Sequence, residues 1–164
     1  MKNIDNQKTQ ELIKLMEAVE PWTWENKHSK QALELIESGA GLNTQDKYGG
    51  TALMRSTMNN HADAVQALIE LGADINVQDK EGWTVLMFAA TEGNAEIAQA
   101  LIEVGADLGL KDDDGETALA KARVDDYDDV AQLIESKILE LEAKTLADYT
   151  SELQADLAHS NLSQ

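Results

Sequence analysis

The segment DKEGWTVLMFAATEGNAEIAQALIEVGADLGLK, residues 79–111, has a counterpart on either side of it. DKYGGTALMRSTMNNHADAVQALIELGADINVQ (46–78) precedes it and DDDGETALAKARVDDYDDVAQLIESKILELEAK (112–144) follows it, each 33 residues long and in the same phase. A fainter copy, QALELIESGAGLNTQ (31–45), keeps the second half of the unit and lacks the first, as a terminal cap would. A fixed period of roughly 20–50 residues is the signature of an architecture built from stacked units.

The residues of one unit dictate its local structure. Gly49, Gly82 and Gly115 follow two polar residues, where a turn needs φ > 0. Thr51, Thr84 and Thr117 then stand where a hydroxyl accepts from the first free N–H groups of a helix. Asn59-Asn60 and Glu92-Gly93-Asn94 break the chain between two helices, and Gly72 and Gly105 fit left-handed positions just past the second. Val65, Leu68 and Ile69 recur as Ile97, Leu101 and Ile102 and as Val130, Leu133 and Ile134, an apolar stripe on that second helix. Each unit therefore reads as turn, helix, turn, helix. A single such pair cannot bury both stripes, so neighbours must stack.

With the 33-residue period, the Thr-x-Leu helix start and the endings LIELGADIN and LIEVGADL, residues 31–136 resemble the ankyrin repeat family. The resemblance implies an all-α solenoid of stacked helix-turn-helix units with projecting turns, occupying 1–164 as a single domain. Residues 1–45 are then an N-terminal cap or degenerate repeat, 46–78, 79–111 and 112–144 the full repeats, and 145–164 a C-terminal helix or tail. The family's Thr-Pro-Leu-His is replaced by Thr51-Ala52-Leu53-Met54, Thr84-Val85-Leu86-Met87 and Thr117-Ala118-Leu119-Ala120. The hydrogen bonds that the family's histidine makes between repeats are expected to give way to apolar packing of Met54 and Met87. The third unit exchanges Gly-Ala-Asp for Ser136-Lys137-Ile138, and residues 128–158 contain neither glycine nor proline. With Ile134, Ile138, Leu141, Leu153 and Leu157 at helical spacing, a long or kinked C-terminal helix is expected as the far cap.

The N-terminal cap departs from the family's pattern. A helix LIKLMEAV (12–19) is followed by EPWTWENKH (20–28), about five residues more than the tight turn that ankyrin-like caps use. Pro21 ends the first helix. In an extended segment Trp22 and Trp24 point to one side, either folded over the end of the first repeat or projecting as anchors for a partner.

Composition bounds the function. The chain has 164 residues, enough for a sizeable core, and no cysteine, which excludes disulfides, thiol nucleophiles and cysteine-bound zinc. The N-terminus carries no apolar signal region and no stretch approaches a membrane span, so a cytoplasmic location is expected. A formal charge of −18 opposes nucleic acid and anionic membrane and favours basic partners. It is graded, −2 over 1–45, −6 over 46–111 and −10 over 112–164. The same acidity also serves solubility and a monomeric state.

In ankyrin-like proteins the turn tips and the exposed face of the first helix hold the partner. Mapped onto this chain, the tips are Lys47, Tyr48 and Gly50, then Lys80, Glu81 and Trp83, then Asp113, Asp114 and Glu116. The helix face adds Met58 and Asn59, Thr91 and Glu92, and Val124 and Asp125. Tyr48 and Trp83 occupy adjacent tips in a chain with only seven aromatic residues, which marks them as contact residues; on that reading Trp83→Ala leaves the thermal midpoint almost unchanged.

Catalysis has little support. His28, His61 and His159 are scattered and none adjoins a nucleophile by motif, while the acidic run Lys111–Glu116 lacks the ligand spacing of a calcium loop. No cofactor or metal is expected. The leading expectation is a non-catalytic protein-binding module that grips and inhibits a basic partner, as an immunity protein would. A passive scaffold is the alternative, and an acidic mimic of nucleic acid is a narrower form of the inhibitor.

Overall fold

The recurrent threonine sets the start of every inner helix. Thr51 Oγ1 accepts from the Met54 N–H, Thr84 Oγ1 from Met87 and Thr117 Oγ1 from Ala120, each at 3.3 Å. The computed structural model describes residues 5–18 and 25–161, with side chains over 5–16 and 25–155. Within them lie α1 (Asn6–Ala18), α2 (Asn26–Glu37), α3 (Ala52–Met58), α4 (Ala62–Glu70), α5 (Val85–Thr91), α6 (Ala95–Glu103), α7 (Ala118–Val124) and α8 (Asp128–Asn161). The inner row is α3, α5, α7 and the outer row is α2, α4, α6, α8, each helix packing on its row neighbour and on its partner in the unit. The fold is thus an all-helical solenoid.

The links follow from the residues that the sequence supplies. Asn60 (φ 55°), Gly93 (φ 64°) and Asp126 (φ 61°) turn the chain between inner and outer helix in the left-handed conformation. Gly93 has a second reason: a Cβ there would lie 2.4 Å from the ring of Tyr127, which packs on it. Between units the projecting turns are tied to one another. Lys80 N–H donates to Tyr48 O (3.1 Å) and Asp113 N–H to Glu81 O (3.0 Å). Gln45 Nε2 bridges Gly49 O (2.7 Å) and Gln78 O (3.0 Å), and one unit on Gln78 Nε2 bridges Gly82 O (2.7 Å) and Lys111 O (2.9 Å). These ties satisfy backbone carbonyls that the non-helical turns leave open.

The core runs the length of the stack. Val65, Leu68, Ile97, Leu101, Val130 and Ile134 supply the outer helices' buried stripe, and Leu53, Leu86, Met54 and Met87 the inner one. Both methionines are buried as expected, and Met87 adds a bond of its own, its Sδ accepting from the Thr84 N–H at 3.4 Å.

At the ends one expectation is corrected and one holds. Asn26, Lys27 and His28, read as loop, form the first turn of α2, where His28 Nδ1 accepts the Glu25 N–H at 2.9 Å and so satisfies a donor that the helix start leaves over. The inserted segment is shorter by those residues; Pro21, Trp22 and Trp24 lie outside the described residues. At the other end the expected long C-terminal helix is present as α8, a single helix that passes through residues 144 and 145. Its capping ends at Ile138, since every described residue from Leu139 to Ala155 is exposed, Leu141 and Leu153 included. The apolar positions continue along the helix after the body of the stack has ended.

Candidate protein-binding groove

Each unit begins with an aspartate that builds its turn. Asp46 Oδ1 accepts from the Tyr48 and Gly50 N–H groups (2.8 and 3.0 Å), Asp79 Oδ1 from Glu81 and Trp83 (2.9 and 2.8 Å), and Asp112 Oδ1 from Asp114 and Glu116 (3.1 and 2.8 Å). One oxygen of each carboxylate thus holds the tip, and the other faces the inner helix.

What that second oxygen meets differs between units. Asp46 Oδ2 pairs with the guanidinium of Arg55 on α3, both side chains almost wholly buried. Asp112 Oδ2 lies 2.5 Å from Lys121 Nζ on α7, which also reaches Glu116 at 3.1 Å. The Lys121 hydrogen bond holds the Asp112 carboxyl below its ordinary range. Burial alone would lower Lys121, yet its two carboxylates keep it raised. In the middle unit the corresponding helix position is Phe88, and Asp79 has no ion-pair partner among the described residues. Its carboxyl is pushed up by burial, with Asp113 and Asp46 adding repulsion against the bonds from Trp83 and Glu81.

Beside Asp79 lies a pocket of about 60 Å³, lined by Asp46, Tyr48, Gly50, Met54, Arg55, Met58, Asp79 and Phe88. It brings together three residues singled out in the sequence, Tyr48, Gly50 and Met58. Tyr48 is 51% exposed, with Lys47 Nζ 5.0 Å from its ring centre.

The remaining sequence candidates divide between exposed and engaged. Lys47, Lys80, Glu81, Glu92, Asp113, Asp114, Val124 and Asp125 are exposed. Asn59 and Thr91 are half-buried, and Asn59 Nδ2 donates to Arg55 O at 3.0 Å, closing the end of α3. Glu116 is engaged by Lys121. Trp83 is half-buried: its ring centre lies 5.1 Å from that of Phe88, and Lys121 Nζ sits 3.9 Å above it. Trp83 thus packs between the second unit and the third, which argues against a ring whose loss the fold would not notice.

Sequence reasoning passed over Arg55, Phe88 and Lys121, although the signal was present. An acid opens every unit, and a cation stands nine residues on in the first and the third but not in the second.

His61 Nδ1 lies 2.8 Å from Ser29 Oγ, which is 3.0 Å from Ser56 Oγ, so this trio joins α2, α3 and α4. Ser29 is 1% exposed, which closes the serine–histidine pair to any substrate. Burial, with the charge of His28, lowers the His61 pKa, as befits a neutral structural ring. Among the described residues there is no group of three or more side chains able to hold a metal ion, and no helix long and apolar enough to cross a membrane.

The family model described as ankyrin repeats (3 copies) matches residues 15–112 and again residues 68–145. No curated protein matches the sequence.

Proposed function

The chain belongs to the ankyrin repeat family, whose members generally bind other proteins, and on that premise we propose that it is a non-catalytic module that grips a basic protein and inhibits it. The observation that carries the reading is the placement of charge on the tips and inner helix ends. Asp113, Asp114 and Asp125 stand exposed beside Glu81 and Glu92, on a chain of net charge −18. Carboxylates so placed steer a cationic partner into encounter and repel acidic ones. Tyr48 and Val124, exposed among them, are the apolar anchors that charge alone does not supply. Trp22 and Trp24 enter the proposal on sequence grounds.

The test is capture from a lysate of the source cell, followed by assay of what is captured. One basic protein is expected to bind stoichiometrically at low salt, to leave at high salt and to lose activity in proportion to the added module. A captured protein that keeps full activity would make the chain a scaffold. Competition by DNA or RNA would identify the acidic surface as a mimic of nucleic acid.

A further inference from the structure

The middle unit lacks the cation that its neighbours supply from within. Arg55 answers Asp46, Lys121 answers Asp112, and at the equivalent place Phe88 leaves Asp79 facing the pocket. The interface between the first and second units is open for a second reason. Gly50 stands 33 residues before Trp83, so the indole that lies under Lys121 in the next interface has no counterpart here.

We propose that the pocket beside Asp79 is a subsite for one basic side chain, lysine or arginine, of the partner protein, which takes in the middle unit the place of Arg55 and Lys121. This rests on the protein-binding reading above and narrows it to one contact. A volume of about 60 Å³ admits the end of a single side chain, far short of the several hundred Å³ typical of small-molecule sites. The walls suit a long cationic chain: Tyr48, Met58 and Phe88 receive its methylenes and Asp79 its charge. The third unit demonstrates the chemistry in the same fold, an ammonium held between the carboxylate of Asp112 and the face of Trp83. Asp46 and Arg55 in the lining neutralise one another, so Asp79 leaves the pocket with a net negative charge, which disfavours an anion. A partly buried carboxylate without a counter-ion among the described residues carries a standing cost that an incoming cation removes, so the site gains more from occupation than an exposed acid does.

The experiment is an NMR titration of the intact chain with N-acetyl-lysine methylamide and N-acetyl-arginine methylamide, using the norleucine analogue as a neutral control. The Gly50 and Trp83 amides, bonded to Asp46 and Asp79, are expected to shift saturably with the cationic probes and not with norleucine. Asp79→Asn keeps an acceptor for the turn and should weaken the response about tenfold, the scale of one charged hydrogen bond. Phe88→Arg supplies the missing cation from within and should abolish the response. Glu103→Gln, an exposed acid at the end of α6 away from the tips, should leave it unchanged. An undiminished response in Asp79→Asn or in Phe88→Arg, or an equal loss in Glu103→Gln, overturns the proposal. The readout needs no partner protein. A subsite that fails while a basic protein is still captured sinks the subsite alone; a subsite that responds while no protein is captured sinks the binding reading alone.

Discussion

Leu68 and Trp83 each contribute apolar surface to the stack, and truncating them removes different things. Leu68 is 1% exposed in the outer stripe, so Leu68→Ala deletes buried methyl groups and leaves a cavity, at a cost of about 2–5 kcal/mol. Trp83 is half-buried; Trp83→Ala forfeits the Phe88 contact and the ring under Lys121, at about 1–3 kcal/mol. Urea titration of both variants should place Trp83→Ala between wild type and Leu68→Ala, and a midpoint equal to wild type would show that the indole does not join the units. At this scale the sequence was legible wherever a residue acts on its own backbone, as Thr51, Thr84 and Thr117 do. It was opaque where a role depends on a residue 38 positions away, as the role of Trp83 depends on Lys121. The candidate site was read in the same uneven way: tip positions followed from the repeat phase, while the pocket required knowing that Phe88 and Gly50 face each other across two units.

At the scale of the element, α8 divides into two parts with different support. Val130, Ala131 and Ile134 are buried in the last interface, and Arg123 on α7 holds Glu135 at 2.5 Å. From Leu139 to Ala155 every residue is exposed, so the backbone hydrogen bonds there have no packed face behind them. A helix of that length is marginal in isolation, and here its nucleus is provided by the packed part. Hydrogen exchange should therefore show amides near residues 134–138 protected to nearly the global limit and those beyond about residue 143 exchanging by local opening, orders of magnitude faster. Uniform protection to the end of the helix would mean that something covers it. The absence of glycine and proline over 128–158 announced a long helix, straight or kinked; where its burial would stop did not follow, because Leu141 and Leu153 keep the apolar spacing after their neighbours have ended.

The whole molecule carries its charge of −18 mostly on the outside, while Asp46 with Arg55 and Asp112 with Lys121 are withdrawn from solvent. Screening acts on exposed charges separated by more than a Debye length, about 8 Å at physiological ionic strength, and hardly touches buried pairs. Adding a neutral salt at low concentration should raise the thermal midpoint by relieving surface repulsion. A fall would mean that favourable surface pairs outweigh it. The architecture was legible from its period alone, since three copies in phase leave the chain no other way to bury two stripes per unit.

The exposed part of α8 has one more consequence, for how the molecule moves through a solvent. Residues 139–161 at 1.5 Å each extend roughly 34 Å, while a globule of this chain length has a radius of gyration near 15 Å. A rod of that length adds friction out of proportion to its mass and slows end-over-end tumbling more than spinning about the long axis. A single copy of 17.9 kDa will therefore emerge early from a sizing column, at a volume that a compact pair would occupy, and only its scattered light will tell the two apart.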